Sequence, residues 1–449
     1  MAQRSDFEQH SYRELVEQIV RRASSSGYEI WWSRVASSGY CSSPVQLVAA
    51  DGTASILVRC KNRRAAVCPS CSDLYAGDTW QLIHAGLGGG HGVAASVSHH
   101  PAVFCTITAP GFGAVHSAPR NGTAEACRAR PIGKCLHGIN RACLLTHSST
   151  DGLLGQPLCM DCYDYVGQAL FTWHAPELWG RFTIALRRIV GRESRSLGDG
   201  RVRVSFVKIV EMQRRGVPHF HFVVRLDDGS APHPDGPSFP RTSITPFRLA
   251  QLVVSAAGLA HLEVPGIGGQ PFELRFGDQI DAQPLIAGLR DIGATDPRRV
   301  AGYLAKYVTK SVSDFGLAPR RIVPHLIEDL DVSSHTKQLL RTVVRLSQEP
   351  GRSEMVGWLH TLGYRGHISS KSRRYSTTMG ALRATRAEFQ RLRIPSKSEV
   401  DSSDIEWEFA KAGHATFGDR MLATSKALQV NEARWARKQL VDIGEREEP

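Results

Sequence analysis

No run of apolar residues in this chain is long enough to cross a bilayer. The longest, Leu249–Ala260 (LAQLVVSAAGLA), falls well short of the ~20 residues a spanning helix needs, and Gln251 and Ser255 interrupt it. An apolar h-region is also missing from the opening residues, MAQRSDFEQHSYREL, so no secretory leader is expected and a cytoplasmic setting is. The pattern Gly-x-x-x-x-Gly-Lys-Ser/Thr occurs nowhere, which excludes a P-loop motor. The Gly-rich stretch 85–92 (AGLGGGHG) lacks the Lys-Ser/Thr pair and reads as a flexible loop. Internal repeats and low-complexity tracts are absent. Acidic residues are in deficit: 43 Asp and Glu face 55 Lys and Arg, a formal net charge of +12, with a pI near 9.4. That balance favours a polyanionic partner, nucleic acid before membrane.

The 449 residues suffice for two or three domains. Apolar periodicity predicts helices over 12–23, 164–192 and 243–261, the second with Trp173, Leu178, Trp179, Phe182 and Leu186 as core. Strands are predicted at 102–109, 203–213, 219–226 and 272–276, and Arg214-Arg215-Gly216-Val217-Pro218 reads as a hairpin turn. Asp296 as N-cap and Pro297 in the first turn start a helix expected to run to about Val312, and the last 50 residues read as solvated helices. Helices and strands mix without βαβ alternation, so the expected class is α+β with an antiparallel sheet.

Ten cysteines in a cytosolic chain point to metal before disulfides. Cys68-Pro69-Ser70-Cys71 and Cys159-Met160-Asp161-Cys162 are Cys-x-x-Cys knuckles, where chance supplies about 0.2 such pairs. About two structural Zn²⁺ ions are therefore expected. Cys41 and Cys60 can complete the first site; Cys127, Cys135, His137, Cys143 and His147 compete to complete the second, and crossed pairing is open. Cys105 lies in a predicted strand and is expected in the core.

His219-Phe220-His221 places two imidazoles on one face of a strand and Phe220 on the other. Among 18 histidines about 0.7 His-x-His pairs arise by chance, so context must decide. Across the hairpin, Glu211 can face the same side and supply a charged third ligand, with Gln213 as second choice. Such an N/O donor set suits Mn²⁺ or Mg²⁺ as a Lewis acid. Tyr303 and Tyr307, spaced i, i+4, share a helix face, with Lys306 and Lys310 beside it. An amphipathic helix burying two aromatics accounts for an isolated Tyr-x-x-x-Tyr, but not for the two lysines. Tyrosine attack on a phosphodiester gives a 5′-phosphotyrosyl enzyme and a free 3′-hydroxyl, so bond energy is retained for rejoining.

Phe104-Cys105-Thr106-Ile107-Thr108, His219-Phe220-His221 and Tyr303-Leu304-Ala305-Lys306-Tyr307, in this order, resemble the three motifs of HUH rolling-circle replication initiators. Tyr-x-x-Lys-Tyr-x-x-Lys is similar to the two-tyrosine initiators of small isometric single-stranded DNA phages. The wider pattern, including Asn62-Arg63-Arg64, His100-Pro101, Leu158–Tyr165 and Lys371–Ser376, is similar to initiators of actinobacterial plasmids and integrative elements. The resemblance implies an HUH endonuclease domain, with a central antiparallel sheet carrying the histidines and a helix delivering the tyrosines. It implies Tyr307 as nucleophile. Tyr303 stands where one-tyrosine relatives have glutamate, so it is a second nucleophile or a water-activating substitute. A conjugative relaxase or HUH transposase shares this chemistry; a non-catalytic zinc-ribbon DNA-binding protein is the alternative of another class.

The expected division is a helical segment (1–40), a Cys-rich zinc module (41–98), an endonuclease domain (99–316) with a zinc insertion at about 127–162, and a basic helical DNA-binding region (317–449). Origin DNA is the expected partner, together with a host helicase, which the missing P-loop requires, and a polymerase. Candidate DNA contacts are Arg63, Arg64, Arg214, Arg215, Arg365, Lys371, Arg373 and Arg374, with Tyr364 and Tyr375 as stacking aromatics.

Overall fold

The computed structural model describes residues 12–119, 125–129, 132–230, 237–286, 296–309, 317, 321–393 and 405–447, without side chains at 390–393 and 438–447. Its described elements, in chain order, begin with α1 (Tyr12–Ala23), α2 (Tyr28–Ser37), β1 (Val45–Ala49), β2 (Ser55–Val58), α3 (Pro69–Gly88), β3 (Ala102–Ile107) and α4 (Tyr165–Ser196). They continue with β4 (Val202–Met212), β5 (Pro218–Asp228), α5 (Pro246–Leu259), β6 (His261–Pro265), β7 (Pro271–Arg275), β8 (Ile280–Leu285) and α6 (Pro297–Val308). The last are α7 (Ser334–Ser347), β9 (Ser369–Lys371), α8 (Met379–Arg393), β10 (Trp407–Ala412) and α9 (Phe417–Glu447). The class is mixed α+β with antiparallel sheets, as composition and periodicity led us to expect. The chain forms two compact units, Met1–Trp80 with Thr378–Pro449, and Gln81–Thr377.

The first unit joins the two ends of the chain. Its sheet has the order β10-β1-β2, antiparallel throughout. β10 lies in a region expected to be wholly helical, and it pairs with β1. The strand escaped notice because every residue of it but Trp407 is exposed, leaving no apolar alternation to read. Asp419, at the start of α9, is buried and takes a two-pronged hydrogen bond from Arg22 of α1 at 2.6 and 2.9 Å. The expected Gly-rich loop is also shorter than foreseen. Ala85–Gly88 ends α3, and the turn is confined to Gly89, Gly90, His91 and Gly92, all with positive φ.

The second unit is built on a five-stranded antiparallel sheet of order β8-β3-β5-β4-β9. β4 and β5 form the predicted hairpin, closed by Gln213 N donating to Val217 O at 2.9 Å and by Gly216 at φ 76°. β5 lies at the centre, and its residues alternate as period two requires. Phe220 and Phe222 are fully buried under α4, where Trp179 stacks on Phe220 at 5.6 Å and meets Phe222 edge-on at 4.9 Å. Trp173, Leu178, Phe182 and Leu186 join the same core, as their spacing predicts. Asp164 caps α4 by accepting from Gly167 N at 2.7 Å.

On the opposite face of β5, Arg225 and Asp227 are completely buried. The guanidinium clasps the carboxylate at 2.7 and 2.9 Å and also donates to the carbonyls of Gly86 and Tyr375. Asp227 takes further bonds from Ser205 at 2.6 Å and His100 at 2.9 Å. Burial alone would raise its carboxyl pKa, but His100 and Arg225 hold it below the usual range. The Tyr375 ring lies under Arg225 and against Gly86, where any Cβ would collide with it. Removing one partner would strand the other charge in the core. Asp227→Ala is therefore expected to destabilise this unit by about 3–5 kcal/mol in a urea melt, and an unchanged midpoint would contradict the network's role.

Candidate functional site

The hairpin register sets Glu211 opposite His219 and Ile209 opposite His221, while β3 sets Thr106 opposite His221. The two imidazole centroids are 4.5 Å apart. His221 Nε2 lies 3.3 Å from a Glu211 carboxylate oxygen, and its Nδ1 lies 3.1 Å from Thr106 Oγ1. Thr106 and Glu211 thus flank the two ring nitrogens of His221. Gln213, the second choice as a ligand, lies beside His219. Its carbonyl accepts from Arg215 Nε at 3.0 Å, which turns the amide nitrogen to His219 Nδ1 at 3.3 Å. Burial first, then the neighbouring His221, pushes the His219 pKa down to about 4, against a weaker opposing pull from Glu211. Burial therefore favours the neutral imidazole near pH 7. Thr106 and Arg215 were not read from sequence as supports of the histidines.

α6 delivers the tyrosines to this face. Asp296 caps it by accepting from Arg298 N at 2.8 Å, and it buries Val300, Ala301, Leu304, Ala305 and Val308. Tyr303 and Tyr307 sit outside that apolar stripe. Tyr307 stacks on His221 with centroids 4.8 Å apart and planes 20° from parallel, and Tyr303 meets His221 edge-on at 5.3 Å. The two tyrosine rings are 4.8 Å apart, and Tyr303 also touches Phe104 at 5.6 Å. Lys306 Nζ lies 6.0 Å from the Tyr307 ring. Lys310 falls outside the described residues. Burial, then the hydrogen bond with Tyr303 and the charge of Glu211, raises the Tyr307 pKa well above that of free tyrosine. The phenol is thus held protonated, chiefly by burial.

Nine of the ten cysteines gather into three groups of four potential ligands, each with its ligand atoms within 4.8 Å of one another. Cys41, Cys60, Cys68 and Cys71 form the first, with Sγ–Sγ distances of 3.6 to 3.7 Å. A tetrahedron with Zn–S bonds of 2.3 Å has edges of about 3.8 Å, whereas a disulfide needs about 2.05 Å. The second knuckle, Cys159 and Cys162, is completed by Cys135 and His137. Cys127, Cys143 and His147 join His116 in a third group that could hold a metal ion. His116 lies eleven residues before Cys127 in the chain, and the fold brings it to all three partners. Cys105 is fully buried, as expected for a core strand. The Glu211–His219–His221 cluster is looser than these three groups.

The basic candidates divide by what they touch. Arg214 donates to the carbonyls of Ser149 and Asp151, and Arg365 stacks on Trp173 and pairs with Glu177. Lys371 turns its ammonium onto the carbonyls of Ser376, Arg373 and Ser372 at 3.0, 3.2 and 3.4 Å. Arg63 and Arg64 are half-buried, and Arg373 and Arg374 are exposed. Tyr364 and Tyr375 are buried, which corrects their expected role as stacking platforms: their rings fill the core beneath the basic segment. Lys371→Ala is expected to lower stability by about 1–3 kcal/mol, while Arg373→Ala and Arg374→Ala leave the melting midpoint unchanged. Equal midpoints for all three would contradict the carbonyl-capping role of Lys371.

No solved structure matches the chain. A "Replication initiator protein" of Streptomyces ambofaciens is 35% identical over 451 aligned residues, covering 92% of this chain and 93% of that protein. The family RepSA, described as "Replication initiator protein, pSAM2", matches residues 27–428. The chain therefore belongs to the RepSA family of replication initiator proteins.

Proposed function

We propose that this initiator binds origin DNA and nicks one strand as an HUH endonuclease, with Tyr307 as nucleophile, in rolling-circle replication. The observation that carries the reading is the stack of Tyr307 on His221, which itself contacts Glu211 at 3.3 Å. Core packing gives no reason to set a phenol, two imidazoles and a carboxylate together on the polar face of a sheet. The family match favours replication over the relaxase and transposase readings, which share the chemistry.

His219, His221 and Glu211 would hold Mn²⁺ or Mg²⁺, which supplies Lewis acidity toward the scissile phosphate. Tyr307 Oη attacks phosphorus, the bond to the 3′-oxygen breaks, and the phenolic proton is replaced on the released 3′-hydroxyl. The 5′-phosphate stays on the tyrosine until a 3′-hydroxyl attacks it in the reverse sense, so rejoining needs no nucleotide hydrolysis. Lys306, exposed beside Tyr307, offsets negative charge on the phenolate and phosphate. Tyr303, on the same helix face, is placed to take a second 5′ end or to orient water. Strand separation and synthesis fall to a host helicase and polymerase, since the chain has no P-loop. Among the described residues no helix is long and apolar enough to cross a membrane, which accords with a cytoplasmic DNA partner. Cys41, Cys60, Cys68 and Cys71 would hold a structural zinc, with no coordination position left for chemistry.

An origin oligonucleotide incubated with the protein and Mn²⁺ is expected to give a covalent protein–DNA band on a denaturing gel. Tyr307→Phe should abolish that band and Tyr303→Phe should retain it; a band surviving in Tyr307→Phe would remove Tyr307 as nucleophile. His219→Ala should lose cleavage while keeping most DNA affinity in a gel-shift assay, and undiminished cleavage would refute the metal site. Cys68→Ser should lose one zinc equivalent by native mass spectrometry, and full retention would rule out the four-thiolate ion.

A further inference from the structure

The eight ligands from His116 to Cys162 fall into four successive pairs: His116 and Cys127, Cys135 and His137, Cys143 and His147, Cys159 and Cys162. In space the first pair joins the third, and the second joins the fourth. We propose that this stretch is a crossed two-zinc module, and that its His116–Cys127–Cys143–His147 ion holds the turn of the β4–β5 hairpin. Only the catalytic consequence of that hold rests on the nicking reading; the metal assignment stands apart from it.

The distances suit zinc. His116 Nδ1 is 3.1 Å from His147 Nε2, which is 3.4 Å from Cys143 Sγ, and Cys127 Sγ is 4.0 Å from His116 Nδ1. In the other group His137 Nδ1 is 3.2 Å from Cys162 Sγ and 3.7 Å from Cys159 Sγ. Tetrahedral zinc with ordinary bond lengths sets N–N edges of about 3.3 Å and N–S edges of about 3.5 Å. His147 also has the second contact typical of a zinc-bound histidine, Nδ1 to Asp151 Oδ2 at 2.6 Å.

Apolar burial cannot be what folds this stretch. Ile132, Leu136, Leu144 and Leu145 are all more than 60% exposed. The pairing of Arg128 with Cys143 and of Lys134 with Asn140 consists of isolated bridges, not strands. A segment with so little core needs another source of folding energy, and metal–thiolate bonds supply it. The crossed order ties the two sites together, because closing either loop encloses ligands of the other.

The module also reaches the hairpin. Asp151, which orients His147, offers its carbonyl to Arg214 at 3.4 Å, and Ser149 offers another. Gly155, at φ +83°, packs so closely on the turn that a Cβ would lie 2.5–2.7 Å from the backbone of Arg214 and Arg215. Arg215 in turn holds Gln213, and Gln213 holds His219. A continuous set of contacts thus runs from a ligand of one ion to a ligand of the proposed catalytic metal.

Native mass spectrometry of the zinc-loaded full chain tests the pairing. Cys127→Ser/Cys143→Ser should lose one zinc and Cys127→Ser/Cys135→Ser two; contiguous pairing predicts the reverse, and that result would overturn the crossed module. Should both variants unfold and lose two, cadmium-113 NMR of Cys127→His/Cys143→His decides, since the crossed order moves one resonance and the contiguous order moves two. In hydrogen exchange, Arg214→Ala and His116→Ala should each speed exchange at residues 213–217 about tenfold. Arg214→Ala should do so with its zinc count intact. Unchanged exchange in both variants would overturn the hold on the hairpin.

Discussion

The buried pair of Arg225 and Asp227 is the constraint on which the second unit depends. Neither charge can lie in a core without partners, so every group that satisfies them is fixed in place. Those groups come from the end of α3, the segment preceding β3, the neighbouring strand β4 and the segment after β9. The central strand is thereby locked at one end. A slip of one residue in β5 would turn Arg225 and Asp227 into the apolar layer under α4 and bring Phe222 out. Since His219 and His221 share a face with Arg225 and Asp227, the same register determines where the imidazoles point.

The site is assembled from elements that carry different parts of the chemistry. β5 presents the histidines, β4 the carboxylate and β3 the threonine that orients His221. α6 buries one stripe in the core and leaves the tyrosines on its margin, so helix packing and tyrosine presentation do not compete. The raised Tyr307 pKa and the lowered His219 pKa have one origin, a partly desolvated site around Glu211. A bound divalent cation would counter the pull of Glu211 on Tyr307 and hold the His219 imidazole neutral. The replication role follows from family membership, and the nicking chemistry is the reading that this geometry supports.

Much of this arrangement was legible in the sequence. Period two placed Phe220 in the core and both histidines on the other face, and the hairpin turn set Glu211 near them. Asp296-Pro297 marked the start of the tyrosine helix, and the first cysteine knuckle found the partners expected for it. Side-chain periodicity and helix caps are local properties, which is why they could be read. The roles of His100, Lys371 and Tyr375 were not legible. They stood out as motif residues, and the basic segment suggested DNA contact for Lys371 and Tyr375. Lys371 caps carbonyls of its own turn, while His100 and Tyr375 help to satisfy a buried ion pair.

By itself the sequence determined the main helices and the strands of the hairpin, the absence of a P-loop, the basic balance and the residues that could ligate metal or attack phosphate. The tertiary structure decided which pairs meet. It crossed the ligands between His116 and Cys162 into two groups, brought His116 to partners up to 31 residues away, and laid Tyr307 rather than Tyr303 flat on His221. It also joined β10 to β1 across most of the chain. The physical reason is the same in each case. Ligation, stacking and strand pairing across long loops depend on where the backbone returns, and one charged pair buried in the central strand of the second unit sets much of that return for the hairpin that carries the site.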